Sequence, residues 1–176
     1  MGNNQLSLYT INMKYVRDLH NADDKVQSVS PQIHKSNRPF VGVVMIVENK
    51  QYCIPLDSPK QKHQTMKNDI DFSKIIVEGK MLGVLNINNM VPVDKDLITK
   101  IDLRPNQSYG QKEVLYKNLC RKELDWIQKH AAQITAKANR LYGIITSGKA
   151  TKKLSDRCLD FEKLEAVLLK WKDKKK

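Results

Sequence analysis

The chain contains no apolar run approaching the roughly 20 residues that a membrane-spanning helix requires, and no association with membrane is expected. Its first ten residues, MGNNQLSLYT, lack the charged start and apolar core of a secretion signal. The Met-Gly opening carries Leu6 where a myristoylation motif wants Ser or Thr. Cysteine is scarce: Cys53, Cys120 and Cys158 are odd in number, widely spaced and in no CxxC pair. That usage suits reduced core thiols of a cytoplasmic protein better than a disulfide framework. His20, His34, His63 and His130 show no ligand spacing, so neither a metal nor another cofactor is expected. Internal repeats and linkers are missing too, and 176 residues fit one domain with room for a sizeable core. Acidic residues are in the minority, 19 against 31 Lys and Arg, which leaves a net charge of +12. Such a chain attracts polyanions by releasing their counterions, and nucleic acid is the commonest polyanion in a cell. Ribosome association, an anionic membrane surface or plain solubility would fit the charge alone.

What is present reads as strands first and helices later. Leu6 to Ile11 alternates like a short strand, and Asn12 can cap a helix running to about His20. From Asn21 to Pro39 the pattern is polar, a loop length that is functional or disordered in most domains. Phe40 to Val47 and Gln51 to Leu56 are two β-rich runs across the break Glu48-Asn49-Lys50, which predicts a hairpin. A helix or loop is expected from near Phe72 to Gly79. Strand material returns at Met81 to Ile87 and Met90 to Val93. From Tyr116, apolar or small residues recur in steps of three and four to Ile145, which predicts one long helix ending at Gly148. A last helix is expected over Asp160 to Lys172, followed by a frayed tail. This order implies an α+β domain with an antiparallel sheet flanked by helices.

The segment Asp57-Ser58-Pro59-Lys60-Gln61-Lys62-His63 leaves the end of a strand, where a rigid sheet commonly supports reactive groups. Cutting RNA without metal needs a group to take the 2′-hydroxyl proton, charge to steady the phosphorane, and a proton for the leaving 5′-oxygen. Lys60 and Lys62 offer the charge, His63 titrates in a useful range, and Ser58 can hydrogen-bond a phosphate. A Ser-Pro-Lys turn is also ordinary surface chemistry. The triplet Glu48-Asn49-Lys50 leaves a metal-dependent nuclease core as a weaker alternative, and a non-catalytic RNA-binding module as another.

At these residues a resemblance emerges. Arg38-Pro39-Phe40-Val41-Gly42-Val43-Val44, Tyr52-Cys53-Ile54-Pro55-Leu56 and Ser58 to His63 resemble the ToxN/AbiQ family. So do Gly83 to Pro92, Tyr116 to Leu119 and Trp126-Ile127, in matching order over most of residues 6–146. The chain looks most like the clostridial-type members called CptN. The resemblance implies a toxin of a type III toxin–antitoxin system with a compact, strongly twisted, Kid/MazF-like barrel sheet. It further implies a metal-independent endoribonuclease that prefers adenine-rich sites and leaves 2′,3′-cyclic phosphate and 5′-hydroxyl ends. Its expected partners are substrate mRNA and a repeated pseudoknot antitoxin RNA that closes with the toxin into a ring, with a role in abortive infection against phage.

Carried over residue by residue, the resemblance places the active-site hydroxyl at Ser58 and the following lysine at Lys60. Asp57 stands where the family often has Thr, and as a carboxylate it would act as a base or cap the turn. Tyr9 and Lys35 match the family's N-terminal tyrosine and a loop lysine, and His63 belongs to the motif as a catalytic, phosphate-binding or structural group. Tyr116 is a pocket aromatic or a core residue. The expected RNA groove comprises Arg38, Lys62, Lys67, Lys80, Lys149, Lys152 and Lys153. The remaining charge of residues 147–176 reads largely as solvated helix face.

Overall fold

The computed structural model describes residues 5–27, 40–46 as backbone, and 49–176. Strand β1 (Ser7–Ile11) buries Leu8 and Ile11 and gives way to helix α1 (Met13–Ala22). Asn12 caps that helix as expected, its Oδ1 accepting from the Lys14 and Tyr15 N–H groups at 3.0 and 3.1 Å. The predicted hairpin is β2 (Phe40–Ile46) and β3 (Lys50–Asp57), paired antiparallel.

Residues Phe72 to Val77 correct the expectation of a helix or loop, because they form strand β4. A register shift between Ile75 and Ile76 breaks the alternation that would have announced it. β4 returns through Glu78 and Gly79, both at positive φ, into β5 (Lys80–Asn86). β6 (Val91–Pro92) and β7 (Ile98–Lys100) are short. The sheet runs β4-β5-β3-β2-β1-β7 with β6 beside β3, and every pairing is antiparallel.

Two ends remain, β4 and β7, so the sheet is not closed into the expected barrel among the described residues. Helix α2 (Gln111–Lys129) packs across β1, β4 and β5, where closure would need strand pairing. The long apolar face predicted from Tyr116 to Ile145 exists, but it is divided. His130 ends α2 and α3 (Ala131–Thr146) begins after it. The His130 N–H donates to the carbonyls of Trp126 and Ile127, and its ring stacks on Trp126 at 3.9 Å. Ile127, Ile134, Ala138 and Leu141 stay buried on both sides of the break, which is why periodicity alone runs straight through it.

After Gly148, at φ +73°, come a short helix α4 (Lys152–Arg157) and α5 (Phe161–Asp173). Thr151 and Asp160 cap them. α5 runs through Lys172 to Asp173, and Lys172 and Lys175 lie 3.5 Å from Asp94 and Asp96. Cys53, Cys120 and Cys158 are buried free thiols, as expected. No helix among the described residues is long and apolar enough to cross a membrane.

Candidate active site

The far end of β3 is held by β5, Leu56 opposite Leu85 and Asp57 opposite Val84. The chain then leaves the sheet through Ser58, which is exposed, into a single tight helical turn at Gln61–Gln64. His63 closes that turn from inside. It is 4% exposed, its Nδ1 accepts from the Lys60 N–H at 2.8 Å, and its own N–H donates to the Lys60 carbonyl at 2.9 Å. A ring nitrogen that accepts from an amide carries no proton, so this network assigns the proton of the neutral ring to Nε2. Burial, then the ammonium groups of Lys62 and Lys60, push the imidazole pKa below its ordinary value against the opposing pull of Asp57. The acceptor bond at Nδ1 and the lowered pKa both favour the neutral ring, which braces the turn from inside.

The turn forms one wall of a cleft of about 560 Å³. Asp57, Lys60, Lys62, His63 and Lys67 line that side, and Lys153 and Arg157 of α4 line the other. Asp69, Asp71, Phe72 and the asparagines Asn86, Asn88 and Asn89 line it as well. The Asp57 carboxylate is oriented by Asn86, whose Nδ2 donates to Oδ2 at 2.5 Å. Asp71, 5% exposed, accepts from Arg157 Nε at 2.6 Å and Nη2 at 3.1 Å. Asn88 donates from Nδ2 to the Arg157 carbonyl at 2.9 Å, and its own carbonyl accepts from Leu159 N–H at 3.1 Å. These bonds dock the start of the C-terminal helices against the strand ends.

The fold thus brings together Asp57, Lys60, Lys62, His63, Lys67 and Lys153, whereas Ser58, exposed between Asp57 and Lys60 in the chain, is not itself on the lining. Other nominated residues lie elsewhere. Tyr9, half-buried on β1, is opposite Phe40, which is opposite Pro55, so it shares the sheet end of the turn without lining the cleft. Burial, with a smaller contribution from Cys53, pushes its phenol pKa up. Tyr116 is 38% exposed on α2, against Cys120, and does not line the cleft. Lys80 sits at the β4–β5 turn, about 20 Å of strand from Asn86. Lys149, before α4, and Lys152, its first residue, are exposed but off the lining. Lys35, Arg38 and Glu48 lie outside the described residues.

The third member of the ExK triplet is engaged in packing. Lys50 Nζ donates to Glu165 at 3.0 Å and to the Tyr142 hydroxyl at 2.8 Å, fastening α5 and α3 to the hairpin. Sequence reasoning missed Asp71, Asn86, Asn88 and Arg157. Arg157 was hidden in a basic stretch that resembles any solvated helix, and the asparagines read only as a break between strands.

Comparison with known proteins agrees with this architecture. The family model for the toxin ToxN of type III toxin–antitoxin systems matches residues 7–169. The endoribonuclease ToxN of Pectobacterium atrosepticum is 29% identical over 150 residues, covering 82% of this chain and 84% of that protein. The endoribonuclease ToxN of Bacillus thuringiensis subsp. kurstaki is 29% identical over 170 residues, covering 94% and 84%. A solved structure from work on selective toxin inhibition by a non-coding RNA pseudoknot superposes with a TM-score of 0.78 at 28% identity, over 96% of this chain and 98% of that one. With nearly its whole length matched by the family model, the chain belongs to the ToxN toxin family of type III toxin–antitoxin systems.

Proposed function

We propose that this chain is an endoribonuclease toxin that cuts RNA in the cleft beside Asp57 and Lys60. One observation carries the reading: the strand-end turn that holds the family's Ser and Lys motif opens onto a cleft with cations on both walls. A phosphodiester entering it meets Lys60 and Lys62 from one side and Lys153 from the other. The substrate brings its own nucleophile, the ribose 2′-hydroxyl. Its attack on the adjacent phosphorus expels the 5′-oxygen, which takes a proton from solvent water as it leaves, and gives 2′,3′-cyclic phosphate and 5′-hydroxyl ends, with no metal required for the step.

In this reading Lys60 steadies the charge that develops on the phosphorane oxygens, and Ser58 donates a hydrogen bond to one of them. Asp57, oriented by Asn86, is a carboxylate acceptor for the 2′-hydroxyl proton. His63 keeps Lys60 in place. Tyr9 and Lys35 complete the set by family likeness, and the preference for adenine-rich RNA rests on the same likeness. So does kinship with the Kid/MazF toxins, here with an open sheet. The activity named for both ToxN relatives supports cutting. Inhibition of a structural relative by an RNA pseudoknot supports restraint of this toxin by a repeated antitoxin RNA. That RNA would lie on the cationic surface, close a ring with the protein and be processed by it, in the cytoplasm and in defence against phage.

The test is end-group analysis of RNA cut by the wild type, with and without EDTA, beside Ser58→Ala and Lys60→Ala. Cyclic phosphate ends, insensitivity to EDTA and loss of cutting in both variants with RNA binding retained are expected. Ends bearing a 3′-hydroxyl would overturn the mechanism, and binding without any cutting by the wild type would leave an RNA-binding module.

A further inference from the structure

Arg157 differs from the other cations of the cleft because its position is fixed. Its Nε and Nη2 form a fork on the two oxygens of nearly buried Asp71. The backbone on either side is pinned too, since Asn88 donates from Nδ2 to the Arg157 carbonyl and from its N–H to the Asp71 carbonyl. A guanidinium carries five N–H donors. The fork uses two, and those remaining on Nη1 and Nη2 have no other partner among the described residues. Arg157 lines the cleft and its side chain keeps 39% of its surface open. Lys60, Lys62, Lys67 and Lys153 are exposed ammonium groups on rotatable stems. They supply a field, whereas Arg157 supplies a direction.

We propose that Arg157 is an RNA-binding residue that grips one phosphate of the strand being cut, and that Asp71 is the positioning residue that aims it. This rests on the reading of the cleft as an RNA site. A guanidinium already held in one rotamer loses little freedom when a phosphate arrives, and its planar donors match two phosphate oxygens. Lysines alone would concentrate RNA in the cleft without fixing which phosphodiester lies at Lys60. The clasp also accounts for one of the three carboxylates that line this cleft, the others being Asp57 and Asp69: Asp71 faces the guanidinium, and its side chain is 6% exposed.

The test uses the full chain and a labelled single-stranded RNA of mixed sequence, with a 2′-O-methyl form for binding because it lacks the attacking hydroxyl. Arg157→Ala is expected to weaken binding about tenfold and to lower the slope of log affinity against log salt by about one. KM should rise more than kcat falls. Arg157→Lys and Asp71→Asn should keep the wild-type slope, because the charge remains, yet still raise KM. Single neutral methylphosphonates walked along the RNA should reveal one position that costs the wild type about tenfold and costs Arg157→Ala nothing more. That comparison works equally with Arg157→Lys if the alanine variant does not fold. Cutting by the wild type together with an unchanged slope and methylphosphonate profile in Arg157→Ala overturns the assignment and leaves the nuclease reading standing. An Arg157-dependent phosphate step without any cutting by the wild type supports the assignment and overturns the nuclease reading.

Discussion

The carboxylate of Glu123 lies against Gly83: a Cβ added at that glycine would sit 2.7 Å from Glu123 Oε1 and 3.3 Å from the Asp57 carbonyl. Glu123 is 5% exposed on α2, so the helix plants an acid behind the strand pair that ends at the turn. Burial pushes its pKa up to about 7. Between its ordinary pKa of 4.5 and that value the folded chain holds a proton that the unfolded chain has lost. Stability contributed by this group is therefore full below 4.5 and declines as pH rises to 7. The loss amounts to about 3 kcal/mol. Urea denaturation across that window should show the decline in the wild type and its absence in Glu123→Gln. An equal decline in both would assign it to other groups.

Gly83→Ala follows from the same geometry. The added methyl meets the end of a buried side chain, Leu56 Cδ1 at 3.2 Å and a backbone carbonyl, so there is little room to yield. A loss of about 2 kcal/mol is expected, and it should be smaller when Glu123 is also Ala. Additive losses in the double variant would show that the two sites do not touch.

His63 is predicted to hold a shape rather than carry a proton. His63→Ala should slow RNA cutting, because Lys60 loses the acceptor that fixes its backbone, and free imidazole should not restore the rate. Protonation of Nδ1 would break the same bond. Its depressed folded-state pKa means that this stability is present above the ordinary value of 6.5 and is lost as pH falls below it. Rescue by imidazole would make His63 a proton carrier after all.

How far these arguments could be read from the chain alone varies by element. The Asn12 cap, the Phe40–Leu56 hairpin and the turn at Ser58 to His63 follow from local residue types and from the family resemblance, and the fold agrees with them. β4 was hidden because its bulge at Ile75 and Ile76 destroys period two. The break at His130 was hidden because a single non-helical residue leaves the apolar spacing nearly intact. The far wall of the cleft was not legible at all. Arg157 meets Asp71 across 86 positions of sequence, and only the docking of α4 against the strand ends brings them together.

Glu165 should prove the anchor of the C-terminal helix. Tyr52 and Tyr142 donate to its Oε1 at 2.6 and 2.8 Å, and Lys50 to its Oε2 at 3.0 Å. Burial works against the charged form, but these three donors outweigh it and hold the carboxyl below its usual range. Glu165→Ala leaves two phenols and an ammonium group facing a gap, at a cost of about 3 kcal/mol in denaturant titration. A loss within about 0.5 kcal/mol would mean the network is solvated and contributes little.

Lys80 and Lys153 separate a cleft cation from a surface cation. Both are exposed lysines that charge alone would treat as equivalent. Lys153 lies in the first turn of α4 and lines the cleft, whereas Lys80 follows the Glu78–Gly79 turn at the far end of β5. Screening at physiological salt reduces a charge about 20 Å away to a small fraction of its contact effect. Lys153→Ala should therefore raise KM for RNA cutting several-fold and shed about one unit of salt dependence. Lys80→Ala should stay within about twofold of the wild type in cutting and in growth arrest. Equal losses in both variants would mean that RNA spreads over the β4–β5 hairpin as well, and the cleft would then be only part of the surface that binds it.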